Sequence, residues 1–383
     1  MSTTKYGTRI VLALVLGPLS ACTKPVTNTD WPLHGLDYAS SRHSALAQIN
    51  RDNVGQLELA WKISTGKKGS FQTSPVVVDG VMYISTPFND VIALNAASGQ
   101  EIWRYHHQLR FEDVCCGPAN RGVAVAGGMV YMAAIDNRLI ALDQKTGAMR
   151  WDIDITNADP DVREAVAPIL GEDVFKDAKV TGGTGYSANM APQVFEGKVF
   201  VGITGTGYGL HLDLKDHGDA ALSVVGFSGG DNGLRGFLAA YDAASGKELW
   251  RWYSVPDESW VGSWRADTPD GVPLHRDLDA EKAGADKWRN AWRLGGGSIW
   301  TTPAIDTESH TLFIGTGNPA PQMDDQTRPG DNQNTSSIVA LSTDTGKLKW
   351  AYQIVPHDRW GYDAATPPLL VTVKRNGVDT PAV

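Results

Sequence analysis

Short apolar runs separated by polar, glycine-bearing turns recur along this chain, and long helical periodicity is hard to find. The best-preserved unit runs from Ala93 to Trp103 (ALNAASGQEIW). It returns at Ala141–Trp151 (ALDQKTGAMRW), Ala240–Trp250 (AYDAASGKELW) and Ala340–Trp350 (ALSTDTGKLKW), and Leu57–Trp61 (LELAW) resembles the tail of an earlier copy. Each unit reads as a hairpin: an apolar strand ending in Ala-Leu, a turn with Asp or Asn and then Gly for positive φ, and a second strand ending in Trp. Ahead of most units lies another alternating pair, as in Ser74–Ser85 (SPVVVDGVMYIS). Four short strands per repeat predict an all-β fold of β-propeller blades, with the indoles packing one blade on the next.

The copies ending at Trp103 and Trp151 lie close together, whereas those at Trp250 and Trp350 are separated by about twice as much sequence, so the later blades carry insertions. Residues 157–183, 211–228 and 260–294 are these insertions, and loops of such length usually cover or line a site. Thr181–Tyr186 (TGGTGY) and Gly205–Gly209 (GTGYG) look like phosphate loops but lack the lysine and the strand-to-helix setting such loops need.

Composition changes the picture in two ways. A net charge of −9 and the lack of a basic patch argue against a nucleic-acid partner. The chain has three cysteines, and two of them, Cys115 and Cys116, are neighbours. Cα atoms across a trans peptide are about 3.8 Å apart, short of the roughly 4.4–6.8 Å of an ordinary disulfide. The pair is therefore either reduced and packed, or bridged through a strained ring of the kind that collects at functional sites. The third cysteine ends a leader. Lys5 and Arg9 precede the apolar run Ile10–Leu19, too short to span a bilayer as a mature helix, and Leu19–Cys22 (LSAC) resembles a bacterial lipobox. Residues 1–22 are accordingly expected to be a lipoprotein-type signal with lipid on Cys22. The rest, 23–383, forms the propeller domain in the periplasm, lipid-anchored to the membrane with the outer membrane favoured because Thr23 is not an Asp. Export would place the cysteine pair where a disulfide persists.

Several further segments carry a resemblance to a known family. They are Cys115-Cys116 with Asn120–Gly122 (NRG), Gly295–Trp300 (GGGSIW), Phe313–Pro321 (FIGTGNPAP), and Arg328–Asp331 (RPGD) leading to Pro356–Asp363 (PHDRWGYD). Together with the repeats they make the chain, from about Trp31 onward, resemble the quinoprotein alcohol dehydrogenases. These are eight-bladed periplasmic enzymes of the methanol and ethanol type that use pyrroloquinoline quinone (PQQ) and a calcium or lanthanide ion. The resemblance implies oxidation of an alcohol or sugar hydroxyl by hydride transfer to the quinone, with cytochrome c or a quinone as electron acceptor. It also implies roles. A Cys115–Cys116 disulfide would lie against one face of the cofactor and Trp300 against the other, with Arg121 pairing with a cofactor carboxylate and Ser298 touching it. Asn318 would give its amide oxygen to the metal.

Departures from the family pattern are equally legible. Gly361 stands where the family places its catalytic Asp, and Asp363 coincides with the extra carboxylate of lanthanide-dependent relatives, as a metal ligand or stand-in base. Asp231, in Gly230–Gly236 (GDNGLRG), is the candidate for the metal-binding Glu, unless Gly205–Gly209 holds that place and the ligand is lost. Gln72 and Asn189 stand where a cofactor-touching Glu and a Thr are expected. The sequence stops at Val383 after about four blades and part of a fifth, which reads as a truncated family member of doubtful activity. The repeats alone also fit a noncatalytic propeller lipoprotein serving as an envelope scaffold, and the cysteine pair and GTGNP segment weigh against that reading.

Overall fold

The computed structural model describes residues 30–110, 113–114, 117–156, 187–203, 209–212, 222–226, 234–320 and 325–383. Four four-stranded antiparallel sheets, each ordered in sequence, form successive propeller blades. Blade 1 comprises Val76–Val78, Val81–Ser85, Val91–Asn95 and Glu101–Tyr105. Blade 2 comprises Ala124–Ala126, Met129–Ala134, Arg138–Asp143 and Met149–Asp154. Blade 3 uses Gln193–Phe195, Lys198–Gly202, Phe237–Asp242 and Glu248–Tyr253. Blade 4 uses Ala304–Asp306, Thr311–Gly315, Ser337–Ser342 and Leu348–Gln353. A further hairpin, Val371–Arg375 with Val378–Ala382, follows.

The repeat motif has a consistent physical content. In every blade the third and fourth strands carry a bulge at the Ala-Leu or Ala-Tyr step, and the Ala faces the Trp across the ladder. The second strand puts an aromatic opposite that same Ala: Tyr83, Tyr131, Phe200 and Phe313. The small methyl lets the two aromatics meet over it, with ring centroids 5.8–5.9 Å apart. In blades 1 to 3 the turn then closes on its own Asx side chain, as where Asp143 Oδ1 accepts from Lys145 N and Thr146 N; in blade 4 Ser342 Oγ accepts from Asp344 N instead.

That turn receives the previous blade's indole. Trp61 donates to Ala96 O, Trp103 to Gln144 O, Trp151 to Ala243 O and Trp250 to Thr343 O, at 3.1–3.3 Å. The turn glycine lies under the ring. A Cβ on Gly147 would come within 2.6 Å of Trp103, so the glycine is needed both for its φ of +71° and for this close approach. Buried apolar side chains accordingly cluster between consecutive blades: Val76, Tyr83, Val130 and Ile140 between blades 1 and 2, Leu139, Val199 and Tyr241 between 2 and 3, and Phe200, Leu238, Leu312 and Val339 between 3 and 4. At the perimeter of blades 3 and 4, Glu196, His310 and Asp344 gather around the Lys198 ammonium, 3.1 Å from Asp344, which makes them an interblade ion-pair clasp.

Two connections position the site. The segment after Asp30 bridges blade 1 through Trp31 and Val77, then ties in blades 3 and 4, where Tyr38 donates to Val194 O and accepts from Ile305 N. The insertion inside blade 3 forms strands Gly209–Leu212 and Leu222–Gly226, and the first pairs with Asp113–Val114, next to the cysteines. The insertion at 260–294 is partly helical, with Leu278–Gly284 as its α-helix. Among the described residues, no helix is long and apolar enough to cross a membrane.

Candidate functional site

Arg121, Asn189, Trp300, Asp363, Asn318 and Ser298 converge, although the sequence separates them into five segments. Arg121 N donates to Asn189 O at 2.9 Å and its guanidinium donates to Asn189 Oδ1. The same guanidinium lies over the Trp300 ring, 4.7 Å from its centroid. The Trp300 indole lies near enough to the Asp363 carboxylate to favour its charged form, and Asp363 Oδ1 accepts from Asn318 N at 2.6 Å. Ser298 is buried beside them, its carbonyl accepting from Gly317 N at 2.8 Å. Gly317 is wedged between Ser298 and Asp363: a Cβ there would sit 2.6 Å from Ser298 Oγ and 3.2 Å from Asp363 Oδ1.

The charges in this cluster are unusual. Arg121 is half-buried, and among the described residues no carboxylate pairs with it; burial alone pulls its pKa down to about 10. Burial pushes the Asp363 pKa up, and the nearby Asp358 charge adds to the rise, while the hydrogen bonds from Asn318 N and Trp300 offset part of it. His34, buried and 3.2 Å from Arg42 Nη2, is held down to about 4 by burial, by Arg42 and by Arg121. A guanidinium without a counter-charge and a carboxylate short of cations are what a site for an anionic ligand and a hard cation provides. Asn318 fits the same scheme. Its Nδ2 is engaged with Pro319 O at 2.8 Å, which leaves Oδ1 as the group available to a cation.

Both PQQ and a hard cation are therefore compatible with the described residues: Arg121 for a carboxylate, the Trp300 ring for a planar system, and Asn318 with Asp363 for the ion. The Arg121 guanidinium lies over the ring of Trp300, the side chain that the resemblance sets against the cofactor. Gln72 is exposed and has no hydrogen bond to the cluster, though Ser74 N, two residues on, donates to Arg121 O. Cys22, Cys115, Cys116 and Asp231, and with them the disulfide and the lipid site, lie outside the described residues. The flanks of the cysteine pair are firmly held. His107 Nε2 lies 2.8 Å from Asp136 Oδ1, and Asp136 Oδ2 accepts from Arg110 N; beyond the pair, Asn120 donates to Ala133 O and Pro118 O accepts from Phe88 N.

Two parts of the site escaped sequence reasoning. Asp358 and Ser336 organise the segment that presents Asp363, and only the run PHDRWGYD hinted at the first. His34 has no motif of its own, and its position follows from the bridging path of the segment after Asp30.

Comparisons with known proteins bear on the family of the chain. The family described as "Glucose/ethanol/alcohol dehydrogenase, beta-propeller domain", of the PQQ type, matches residues 31–152 and 223–383. The quinohemoprotein alcohol dehydrogenase of Comamonas testosteroni is 36% identical over 91% of this chain and 42% of its own length. The lanthanide-dependent methanol dehydrogenase of Methylorubrum extorquens is 32% identical over 97% of this chain and 56% of its own. Among solved structures, the Comamonas testosteroni enzyme aligns with a TM-score of 0.68 at 34% identity, covering 93% of this chain and 46% of that one. A europium-containing methanol dehydrogenase aligns at 0.68 and 28% identity, covering 93% and 54%. The chain spans about half the length of the curated relatives it matches.

Proposed function

This chain belongs to the PQQ-dependent alcohol dehydrogenase propeller family, and from that premise we propose that it binds PQQ with a calcium or lanthanide ion and serves the oxidation of an alcohol or sugar hydroxyl. The observation that carries this reading is the half-buried Arg121 guanidinium, which lacks a carboxylate partner among the described residues and lies against the ring of Trp300. When bound, PQQ supplies a quinone able to accept a hydride, and the cation supplies Lewis acidity.

The chain's own residues do the rest. Arg121 fixes a carboxylate of the ligand, with Asn189 holding the guanidinium in place through both backbone and side chain. Trp300 offers an aromatic wall, with the Arg121 guanidinium over its ring and the Asp363 carboxylate beside it. Asp363 and the Asn318 amide oxygen would hold the ion, or Asp363 would take up the alcohol proton in place of the carboxylate that Gly361 lacks. By the family resemblance, the cysteines as a disulfide would close the other side of the slot. Electrons would leave to a cytochrome c or a quinone, and export with lipid on Cys22 would place this chemistry in the periplasm.

Equilibrium dialysis of PQQ against the chain, with lanthanum present, tests the reading. Saturable binding is expected, and Arg121→Ala should weaken it by about tenfold or more, as loss of a charge-assisted hydrogen bond implies. Equal retention of PQQ by both proteins would remove the reading's basis.

A further inference from the structure

Resting on that reading of the site, we propose that Asp358 is the positioning residue for Asp363, acting through a turn wrapped around its carboxylate and through Ser336. Asp358 is fully buried. Its Oδ1 accepts from Trp360 N at 2.8 Å and Gly361 N at 3.1 Å, and its Oδ2 accepts from Tyr362 N at 2.6 Å and Ser336 Oγ at 2.9 Å. Three successive backbone N–H groups thus converge on one carboxylate. The chain curls this tightly because Gly361 adopts a φ of +80°, a conformation costly for any residue with a side chain.

This turn is not held by its own side chains. Trp360 and Tyr362 are 69% and 59% exposed, so packing does not fix the loop and the buried carboxylate does. The anchoring reaches the site through a closed circuit. Asp358 holds Ser336 Oγ; Ser336 N donates to Gly317 O; the next residue, Asn318, donates its N–H to Asp363 Oδ1; and the backbone from Asp363 returns to Asp358. Arg328, also fully buried, donates to Asp358 O at 2.7 Å and fixes the start of the turn. Its hydrogen bonds join buried or half-buried groups and its other links are covalent, and the circuit ties the residues of both site oxygens, Asp363 and Asn318, to one support.

The circuit also explains the glycine at 361. That residue is a bend in the turn, and the carboxylate the site uses arrives two residues later, at 363. Supports of this kind, which touch no ligand themselves, typically set metal affinity by about 10–100-fold.

Terbium(III) titration, read as emission sensitised by tryptophan, tests the proposal without reference to turnover. The chain should bind terbium, and Asp363→Asn should abolish the sensitised emission. Asp358→Asn leaves both site oxygens in place but sets an amide N–H against Tyr362 N–H. It should weaken terbium by about tenfold or more and speed hydrogen exchange at residues 360–362, with a chemical-unfolding curve that still shows a folded chain. Ser336→Ala cuts one link and should give a smaller loss, serving as the test should Asp358→Asn not fold. A folded Asp358→Asn that binds as tightly as the parent, or an unaffected Ser336→Ala where only that variant folds, overturns the positioning role while leaving the site reading intact. Absence of sensitised emission in the parent, or its persistence in Asp363→Asn, overturns the site reading and this role with it.

Discussion

Trp103 and Trp300 are the same side chain put to different uses. The indole N–H of Trp103 goes to a backbone carbonyl of the next blade, Gln144 O, and its ring lies on Gly147, so its hydrogen bonding and its packing are met by protein. The Trp300 indole lies beside the Asp363 carboxylate and favours its charged form, and its ring carries the Arg121 guanidinium. Among the described residues, neither of those charges meets an opposite one. A staple saturates itself within the chain, whereas Trp300 sits between two charges that a ligand and a cation would complete. Trp350 completes the comparison. It has the same motif and the same aromatic neighbour, Phe313, yet it is 42% exposed, and its N–H has no carbonyl partner among the described residues.

The largest separation should come from stability. Trp103→Ala removes a nearly buried indole and is expected to cost about 3–5 kcal/mol in urea unfolding, whereas Trp350→Ala should cost under about 1 kcal/mol. Equal costs would show that the interblade seat, and not the motif, has been misjudged.

Acid should find the hub next. His34 is held down to about 4, so between its ordinary value near 6.5 and that figure the unfolded chain binds the extra proton. Stability should therefore fall as pH drops through that window, by up to about 3 kcal/mol, and be unaffected by this group above it. His34→Gln should flatten the slope of the urea midpoint against pH in that range, and an unchanged slope would place the acid sensitivity elsewhere.

A smaller change than these is expected at Gly361. Gly361→Asp forces a side chain onto a φ of +80° and should lower stability by about 1–2 kcal/mol. It should not confer dye reduction with small alcohols, since the turn around Asp358 already delivers the site carboxylate at 363. Turnover in that single variant would mean that the bend is dispensable.

Much of the fold was legible because each blade repeats a local solution. The Ala facing Trp and the Gly under the preceding blade's indole are sequence-local and recur from Ala93 to Trp350, and an Asx side chain closes the turn in blades 1 to 3. The second-strand aromatic was missed: Tyr83, Tyr131, Phe200 and Phe313 lie at varying distances from their Trp in sequence, and only the ladder brings them into one row. At the site, Arg121, Ser298, Trp300, Asn318 and Asp363 were legible through motif likeness. Asp358 and His34 were not, because their importance lies in burial and in hydrogen bonds across loops, which spacing does not encode. Gln72, chosen by position, is exposed, as the chain approaching blade 1 turns that side chain outward.

The most direct measurement is a PQQ titration with lanthanum, followed by tryptophan fluorescence, on the chain and on Trp300→Phe and Trp103→Phe. Trp300→Phe should lose most of the quenching and weaken binding while keeping its urea midpoint close to that of the parent. Trp103→Phe should keep the affinity and the quenching but unfold earlier. Identical titrations for the two variants, or an unquenched parent, would contradict the assignment of Trp300 as the wall of a ligand slot.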